Sequence, residues 1–209
     1  GQGPDHSSAR IERFLSLAAE KNMTIAQPST PASYFHLLRF HAANPKRRPM
    51  VVFTPKSMLR LRAAASSMSD FTSGTFLPVI GDPTVSNASR LIYCSGKIYH
   101  DIVAERARLN DSSTAIVRVE RLYPLPVAQM EVEAKKHPNA NLLWVQDEPA
   151  NQGPWPFVAL RTAEQFGGEG FGGRTLRRVS RRATASPATG NHHLHEEEQK
   201  ALLMEAFTR

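Results

Sequence analysis

A histidine and two hydroxyl side chains stand together near the start of the sequence, directly before a predicted helix. The segment reads Gly1-Gln2-Gly3-Pro4-Asp5-His6-Ser7-Ser8. Its glycines and proline favour a tight loop, and the backbone N–H groups at a helix N-terminus attract anions. Because histidine titrates near neutral pH, His6 can donate a hydrogen bond to such an anion or move a proton. The segment predicts either an anion-binding catalytic site or simply a capped helix start.

Two glycine-containing motifs match phosphate-binding loops only in part. Ser95-Gly96-Lys97 matches the end of such a loop, but Leu91 stands where the loop requires an earlier glycine. We interpret it as a glycine turn between a strand and a helix, with Ser95 as the helix cap. The glycine-rich segment 167–173 lacks the preceding strand of a dinucleotide-binding fingerprint. We interpret this second segment as a flexible surface loop.

Three histidines precede a run of acidic residues near the end of the sequence. They are His192, His193 and His195, and Glu196 follows them directly. The histidines do not have the spacing of a helical zinc site, and no cysteine lies nearby. We therefore predict no metal site. We interpret the segment as a solvated helix start, where the helix dipole stabilises acidic side chains.

Strands and helices alternate in the second half of the sequence. The predicted strands cover 90–94, 115–119, 142–145 and 176–180, and the predicted helices cover 98–109, 127–136, 157–165 and 196–207. The first of these helices should bury Ile98, Tyr99, Ile102, Val103 and Leu109, which share one face at helical spacing. The alternation predicts an α/β fold with a mainly parallel sheet.

The first part of the sequence predicts a smaller set of elements. They are a helix that carries the apolar stripe Ile11, Phe14, Leu15 and Ala18 and ends at Asn22, strands over 23–26 and 50–54, and a helix that Thr30 caps and Pro31 begins. Residues 55–89 show no sustained periodicity of apolar residues and contain several prolines and serines that interrupt regular structure. They therefore predict a linker or a long irregular stretch.

Composition excludes several classes of protein. The chain has 209 residues, and its 26 Lys and Arg against 19 Asp and Glu give a net charge of +7. The single cysteine, Cys94, excludes an internal disulfide framework and a cysteine-based zinc finger. No apolar run approaches the roughly 18 residues of a membrane span. No signal peptide opens the sequence, so we expect a soluble cytoplasmic protein.

The positive charge is concentrated in residues 21–69, which contain no acidic residue. The basic residues there are Lys21, Arg39, Lys46, Arg47, Arg48, Lys56, Arg60 and Arg62. Nucleic acid is the first partner to test for such a stretch. The sequence has no zinc knuckle or RNP-type strand, so we predict no nucleic-acid partner. An acidic protein surface, an anionic effector and a solvated surface all remain open.

The sequence strongly resembles the thiamine-dependent first component of the 2-oxoglutarate dehydrogenase complex. The resemblance rests on blocks that occur in family order over nearly the whole chain: Gly1 to Leu15, Val51 to Arg60, Gly74-Thr75-Phe76, Cys94 to Tyr99, Ala115 to Glu120, Gln146 to Trp155 and Arg181 to Gly190. It implies that residues 1–55 end the pyrimidine-binding domain of a thiamine enzyme. Residues 56–89 would be the linker, and residues 90–209 a transketolase C-terminal-like domain with a mainly parallel sheet.

The resemblance also implies a function and its residues. The full enzyme would decarboxylate 2-oxoglutarate on thiamine diphosphate with Mg, and pass the succinyl group to the lipoyl carrier of an acyltransferase component. It would be a homodimer. His6 matches the active-site histidine of the family, which implies a catalytic and substrate-binding role, and Ser7 is an adjacent substrate-binding candidate. Because the chain also begins without Met, it is expected to be the last part of a longer protein.

Some family features are absent from the sequence. The motif that binds diphosphate and Mg is missing, and Gly81-Asp82-Pro83 does not replace it, so the isolated chain is expected to be inactive. Some relatives bind acetyl-CoA through basic residues after a Pro-Leu-Pro, where this chain has Val127, Ala128 and Gln129. We therefore expect no regulation of that kind. The alternatives are a relative specific for 2-oxoadipate and a non-catalytic assembly or effector-binding module.

Overall fold

Helices and strands alternate along most of the chain in the structure, a computed structural model that describes residues 9–166 and 170–208. The helices are α1 (Ile11–Ser16), α2 (Pro31–Ala43), α3 (Met68–Thr72), α4 (Ile98–Leu109), α5 (Val127–Lys136), α6 (Trp155–Phe166), α7 (Gly170–Gly173) and α8 (His192–Phe207). The strands are β1 (Thr24–Ala26), β2 (Met50–Val52), β3 (Val79–Ile80), β4 (Arg90–Cys94), β5 (Thr114–Val119), β6 (Arg121–Tyr123), β7 (Asn141–Pro149) and β8 (Leu176–Arg181). Two 3₁₀ segments, Lys56–Arg60 and Arg62–Ala64, precede α3.

The larger sheet has five strands in the order β3-β5-β4-β7-β8. Strands β5, β4, β7 and β8 pair in parallel, and β3 pairs antiparallel with β5 at one edge. The mainly parallel sheet predicted from the alternation of elements is therefore confirmed. A parallel sheet needs helices on both faces, because its crossover connections lie there.

Apolar side chains cover both faces of this sheet. One face packs against α4 and α8 through Ile92, Cys94, Ile98, Ile102, Ile116, Leu143, Val145, Val179, Leu202 and Ala206. The other carries the larger core, which includes Leu91, Tyr93, Val117, Leu142, Trp144, Met130, Val158 and Phe171. That core extends to α1 through Ile11 and Leu15, which are buried. Helix α1 is thus held against the larger sheet by apolar packing.

A second sheet of three strands joins the two parts of the chain. Its order is β2-β1-β6, with β2 parallel and β6 antiparallel to β1. Strand β6 comes directly after β5, so one continuous stretch of chain supplies both sheets. The sequence analysis did not predict β6, because three residues before a proline are too short to show a period of two.

Several predicted elements differ from the observed ones. Helix α1 ends at Ser16 rather than near Asn22, whose side chain accepts from Ala19 N at 3.1 Å and donates to Leu17 O at 3.0 Å. These contacts replace helical hydrogen bonds in the following turn. The prediction that Leu109 is buried is wrong, since it is 43% exposed at the end of α4. His100 is buried in its place, at hydrogen-bonding distance (2.8 Å) from Ser29 O.

The predicted linker contains short elements of secondary structure. Strand β3 belongs to the larger sheet, and the capping box of Ser67 and Asp70 begins α3. These elements are too short to produce a detectable period in the sequence. The domain limits 1–55, 56–89 and 90–209 remain a prediction.

A buried carboxylate holds the two sheets together at the end of β5. Glu120 has no exposed surface and accepts hydrogen bonds from Ser29 N at 2.8 Å, Ser29 Oγ at 2.6 Å and Ser33 Oγ at 2.6 Å. Its backbone carbonyl accepts from Gln27 N at 2.9 Å. Because a buried carboxylate needs such partners, these bonds fix the position of the turn between β1 and α2.

Within the described ranges, no helix is both long enough and apolar enough to cross a lipid bilayer.

Replacing Glu120 tests this connection. Glu120→Ala leaves the donors of Ser29 and Ser33 buried without an acceptor, so we expect it to lower the free energy of unfolding by about 3 kcal/mol. Denaturant unfolding of the chain measures this. Glu197→Ala, at an exposed position of α8, serves as the control. A loss no larger than that of the control would show that the carboxylate does not hold the two sheets together.

Candidate active site

The predicted catalytic residues His6 and Ser7 lie outside the described residues. The structure describes the chain from Ala9 onward, where it enters α1. Arg10 is the N-cap of α1 and makes no side-chain capping bond. Its Nε instead pairs with Glu12 Oε1 at 2.6 Å. Arg10 and Glu12 are among the described residues nearest in sequence to His6 and Ser7.

The loop at the carboxyl end of β7 lies against this helix. Gln146 is buried and organises the loop: its Oε1 accepts from Trp144 Nε1 at 3.1 Å and from Trp155 N at 2.9 Å. Its Nε2 donates to Gln152 O at 2.8 Å and to Pro149 O at 3.2 Å. One side chain thus bonds to groups of β7, of the loop after it and of the first residue of α6. The result is a fixed loop at the edge of the sheet where ligands bind in parallel α/β folds.

Gly153 connects this loop to α1. Its N–H donates to Glu12 Oε2 at 2.8 Å. Its φ is +68°, and a Cβ at this position would lie 2.7 Å from Glu148 Cβ. Both the backbone conformation and the close approach require glycine.

Glu148 sits beside Gly153 and is only partly exposed. Burial raises its pKa to about 7, and the negative charges of Asp147 and Glu12 act in the same direction. The carboxyl group therefore exchanges its proton near neutral pH. Carboxyl groups whose pKa is shifted in this way are common at functional sites. In the sequence, Glu148 stands out only as part of the block Gln146 to Trp155 that resembles the family.

The Ser95-Gly96-Lys97 motif is a strand-to-helix turn, as interpreted. Gly96 has φ +67°, and a Cβ there would lie 2.6 Å from Gln27 Cδ. The prediction that Ser95 caps α4 is wrong, because its Oγ donates to Val119 O at 2.8 Å and the N-cap is Lys97. The hydroxyl joins neighbouring strands instead of the helix.

Lys97 forms part of an ion network at the same edge of the sheet. Its Nζ lies 2.5 Å from Asp101 Oδ2 and 3.8 Å from Asp147 Oδ2. Burial lowers the pKa of Lys97, but Asp147 and Asp101 outweigh it and the net direction is upward. Gln199 donates to both carboxylates at 3.0 Å. The network therefore links α4, β7 and α8 and keeps Lys97 charged.

The histidine-rich segment forms the first turn of α8. The helix begins at His192, earlier than predicted, with Asn191 Oδ1 accepting from Leu194 N at 3.1 Å. His192, His193 and Glu196 are exposed, as expected for a solvated helix start, and their candidate ligand atoms lie within 4.8 Å of one another. His192 and Glu196 are one turn apart, a pairing that the analysis of histidine spacing alone overlooked.

The glycine-rich segment is not simply a surface loop where it is described. Its described part, Gly170–Gly173, forms helix α7, and residues 167–169 lie outside the described residues. Phe171 is buried, and its ring lies 5.8 Å from that of Tyr93. The glycines hid this core residue from the sequence analysis, since a helix of this length carries no period.

Most basic side chains of residues 21–69 are exposed. Lys21, Arg39, Lys46, Arg47, Lys56, Arg60 and Arg62 all belong to the exposed class. Arg48 is partly buried and donates to the backbone carbonyl of Lys21 and to that of Glu20, the latter at 3.3 Å. The arrangement fits a surface that is solvated or faces an acidic partner.

Two family models match consecutive parts of the chain. One is described as 2-oxoglutarate dehydrogenase C-terminal and matches residues 65–207. The other is described as transketolase, pyrimidine binding domain and matches residues 1–62. Together they cover the segment that contains His6 and the sheet that supports α1.

Several curated proteins are similar over 99% of this chain. A 2-oxoglutarate dehydrogenase E1/E2 component of Corynebacterium glutamicum is 51% identical to it. Proteins named multifunctional 2-oxoglutarate metabolism enzyme from Mycobacterium sp. (strain JLS) and Mycolicibacterium vanbaalenii are 47% and 46% identical. The chain spans only 17% of the length of each of these relatives.

Glu148 gives the stability of the chain a pH dependence of known sign. Its pKa rises from 4.5 to about 7 on folding, so between these values the folded chain holds a proton that the unfolded chain has lost. The free energy of unfolding therefore falls as the pH rises through this range. Glu148→Gln is neutral at every pH, so its free energy of unfolding should fall by about 2 kcal/mol less than that of the wild type over this range. This figure allows for the partial solvent exposure of the side chain.

Denaturant unfolding at several pH values between 4.5 and 8 measures the effect. Glu197→Gln, at an exposed position, should reproduce the pH dependence of the wild type. Parallel pH profiles for wild type and Glu148→Gln would contradict the raised pKa.

Proposed function

The chain belongs to the 2-oxoglutarate dehydrogenase family, and from this premise we propose that it is the C-terminal part of a thiamine-dependent 2-oxoglutarate dehydrogenase. The whole enzyme decarboxylates 2-oxoglutarate and transfers the succinyl group to the lipoyl carrier of an acyltransferase component. The observation that carries this proposal is the match of two consecutive family models, over 1–62 and 65–207. The names of the relatives support the substrate, a 2-oxo acid.

His6 is proposed as the catalytic residue of this chain, with Ser7 as a neighbouring substrate contact. The support is the position of both residues within the pyrimidine-binding match, which covers residues 1–62. An imidazole that titrates near neutral pH can donate to the substrate or transfer a proton during its conversion.

Thiamine diphosphate and Mg are proposed as cofactors that are bound mainly outside this chain. When bound, thiamine diphosphate supplies the stabilisation of the carbanion left by decarboxylation. Asp82, in the segment Gly81-Asp82-Pro83 that was compared with the diphosphate and Mg motif, already has hydrogen-bond partners. Its carboxylate accepts from Thr84 N at 2.9 Å and from Ile116 N at 3.0 Å, and it pairs with Arg106.

The carboxylate of Asp82 has a structural role. Burial alone would raise its pKa, but the hydrogen bonds from Thr84 and Ile116 and the pairing with Arg106 lower it overall. A carboxylate with its oxygens occupied in this way is a poor Mg ligand. Asp82 is therefore not available to bind Mg, which supports the proposal that diphosphate and Mg are bound outside this chain.

The enzyme is proposed to be a cytoplasmic homodimer with no nucleic-acid or membrane partner. Cys94 is a buried free thiol, as is common in the reducing cytoplasm. The exposed basic residues of 21–69 would face acidic surface of the rest of the enzyme or of a partner component.

Replacing His6 tests the proposed function. In the intact enzyme with thiamine diphosphate and Mg, we expect His6→Ala to reduce turnover of 2-oxoglutarate by about 100-fold or more, because it removes a proton-transferring donor. Release of carbon dioxide measures turnover, and circular dichroism checks that folding is unchanged. His193→Ala, 90% exposed on α8, is the control and should keep wild-type turnover.

Two outcomes would count against this assignment. Wild-type turnover in His6→Ala would remove the proposed catalytic role. An intact wild-type enzyme that decarboxylates 2-oxoadipate in preference to 2-oxoglutarate, or neither of them, would favour the adipate-specific relative or the non-catalytic module.

A further inference from the structure

Two imidazoles and a carboxylate meet on the exposed side of the first turns of α8. His192, His193 and Glu196 each place one candidate ligand atom within 4.8 Å of the others. His192 Nδ1 lies 3.4 Å from Glu196 Oε2, and His193 Nδ1 lies 4.0 Å from the same oxygen. Because residues three and four positions apart on a helix are neighbours, Glu196 faces both histidines. These three side chains are called the His-His-Glu cluster below.

The spacing of the cluster is close to that around a single zinc ion. Zinc lies about 2.0–2.2 Å from a histidine nitrogen or a carboxylate oxygen and prefers tetrahedral geometry, so two of its ligand atoms are about 3.3 Å apart. His192 Nδ1 and Glu196 Oε2 are already close to that separation. His193 is 90% exposed, so its ring can turn to close the remaining gap without displacing a neighbour.

The helix that carries the cluster is fixed by contacts that do not use the three side chains. Asn191 Oδ1 accepts from Leu194 N at 3.1 Å and caps the helix. Gln199 Nε2 donates to two carboxylates at 3.0 Å, and Arg181 Nη1 pairs with Glu198 Oε2 at 3.3 Å. The backbone under the cluster is therefore in place before an ion binds, so little order must be gained on binding.

The imidazoles of the cluster are available to an ion. Within the part of the chain that the structure describes, Glu196 is the only polar partner of either ring. An ion can therefore bind both rings without breaking a bond to another element. Two imidazoles and one carboxylate suit Zn²⁺, whereas Mg²⁺ and Ca²⁺ prefer oxygen ligands alone.

The charge around the cluster also permits a cation. The positive end of the helix dipole near Asn191 opposes one. Glu196 and Glu197, both exposed in the next turn of the helix, add two negative charges that offset it. The ligand set and its surroundings thus agree in sign.

We propose that the His-His-Glu cluster binds one Zn²⁺ ion through His192 Nδ1, His193 Nδ1 and Glu196, with water in the fourth position. The prediction of no metal site considered only the spacing between histidines and left out the carboxylate one turn further along the helix. The bound ion would join the first two turns of α8. This site is separate from the proposed Mg site and does not rest on the proposed function.

Calorimetric titration of the intact enzyme with Zn²⁺, in the absence of thiamine diphosphate and Mg, tests the site. We expect His192→Ala and Glu196→Gln each to weaken binding at one site per chain by about tenfold or more, because losing a ligand costs at least as much as losing a contact that supports one. Zinc bound elsewhere in the enzyme is common to wild type and variants, so the comparison cancels it. Circular dichroism checks that folding is unchanged.

Two variants serve as matched controls. Glu197→Gln removes the same charge from the neighbouring exposed position of α8, and His41→Ala removes a partly exposed histidine from α2. Both should bind Zn²⁺ as the wild type does. An excess of Mg²⁺ should not displace the ion, because Mg²⁺ prefers oxygen ligands.

Three results would overturn the proposal. The first is unchanged Zn²⁺ binding in His192→Ala. The second is an equal weakening in Glu197→Gln and Glu196→Gln, which would show an adventitious ion only, attracted by the acidic run. The third is displacement of the ion by Mg²⁺. The three cluster variants should all keep wild-type turnover of 2-oxoglutarate, so failure of the proposed function would leave this proposal standing.

Discussion

The buried carboxylate of Glu120 is the constraint on which the arrangement of the two sheets depends. With no exposed surface, it must find donors within the protein, and Ser29 and Ser33 supply them. These serines lie between β1 and the first turn of α2, whereas Glu120 stands between β5 and β6. The hydrogen bonds to this buried carboxylate thus tie the small sheet to the large one.

Helix α1, the first described helix, lies near the carboxyl edge of the large sheet. Helix α1 packs on the core of that sheet, and Glu12 contacts the loop after β7. The contact between Glu12 and Gly153 therefore joins the two parts of the chain that the family models match.

Much of the fold could be predicted from sequence because its elements are long enough to carry a period. The helix over 127–136 and the strand over 90–94 have the predicted bounds. Elements of two to five residues, such as β3, β6 and α7, were not predicted, because so few positions show no periodic pattern of apolar residues. The burial of Phe171 was not predicted for the same reason, because its neighbours in sequence are glycines.

The surroundings of the candidate site were less predictable than the fold. The family blocks include Glu12, Glu148 and Gly153. No local sequence pattern predicts that Glu12 and Gly153, which are far apart in sequence, are in contact. The contact between Gly153 and Glu12 depends on a positive φ and on a loop fixed by Gln146. Such contacts arise from tertiary packing, so only the folded chain reveals them. Glu148 likewise acquires its raised pKa from neighbours that folding brings together.

The most direct measurement is a crystal structure of the intact enzyme with thiamine diphosphate, Mg and an unreactive analogue of 2-oxoglutarate. We predict that a ring nitrogen of His6 lies within hydrogen-bonding distance of the analogue, about 2.7–3.2 Å. The bond from Gly153 N to Glu12 Oε2 should remain close to 2.8 Å. An analogue bound with the His6 ring out of reach, or with the Gly153 bond broken, would contradict the account.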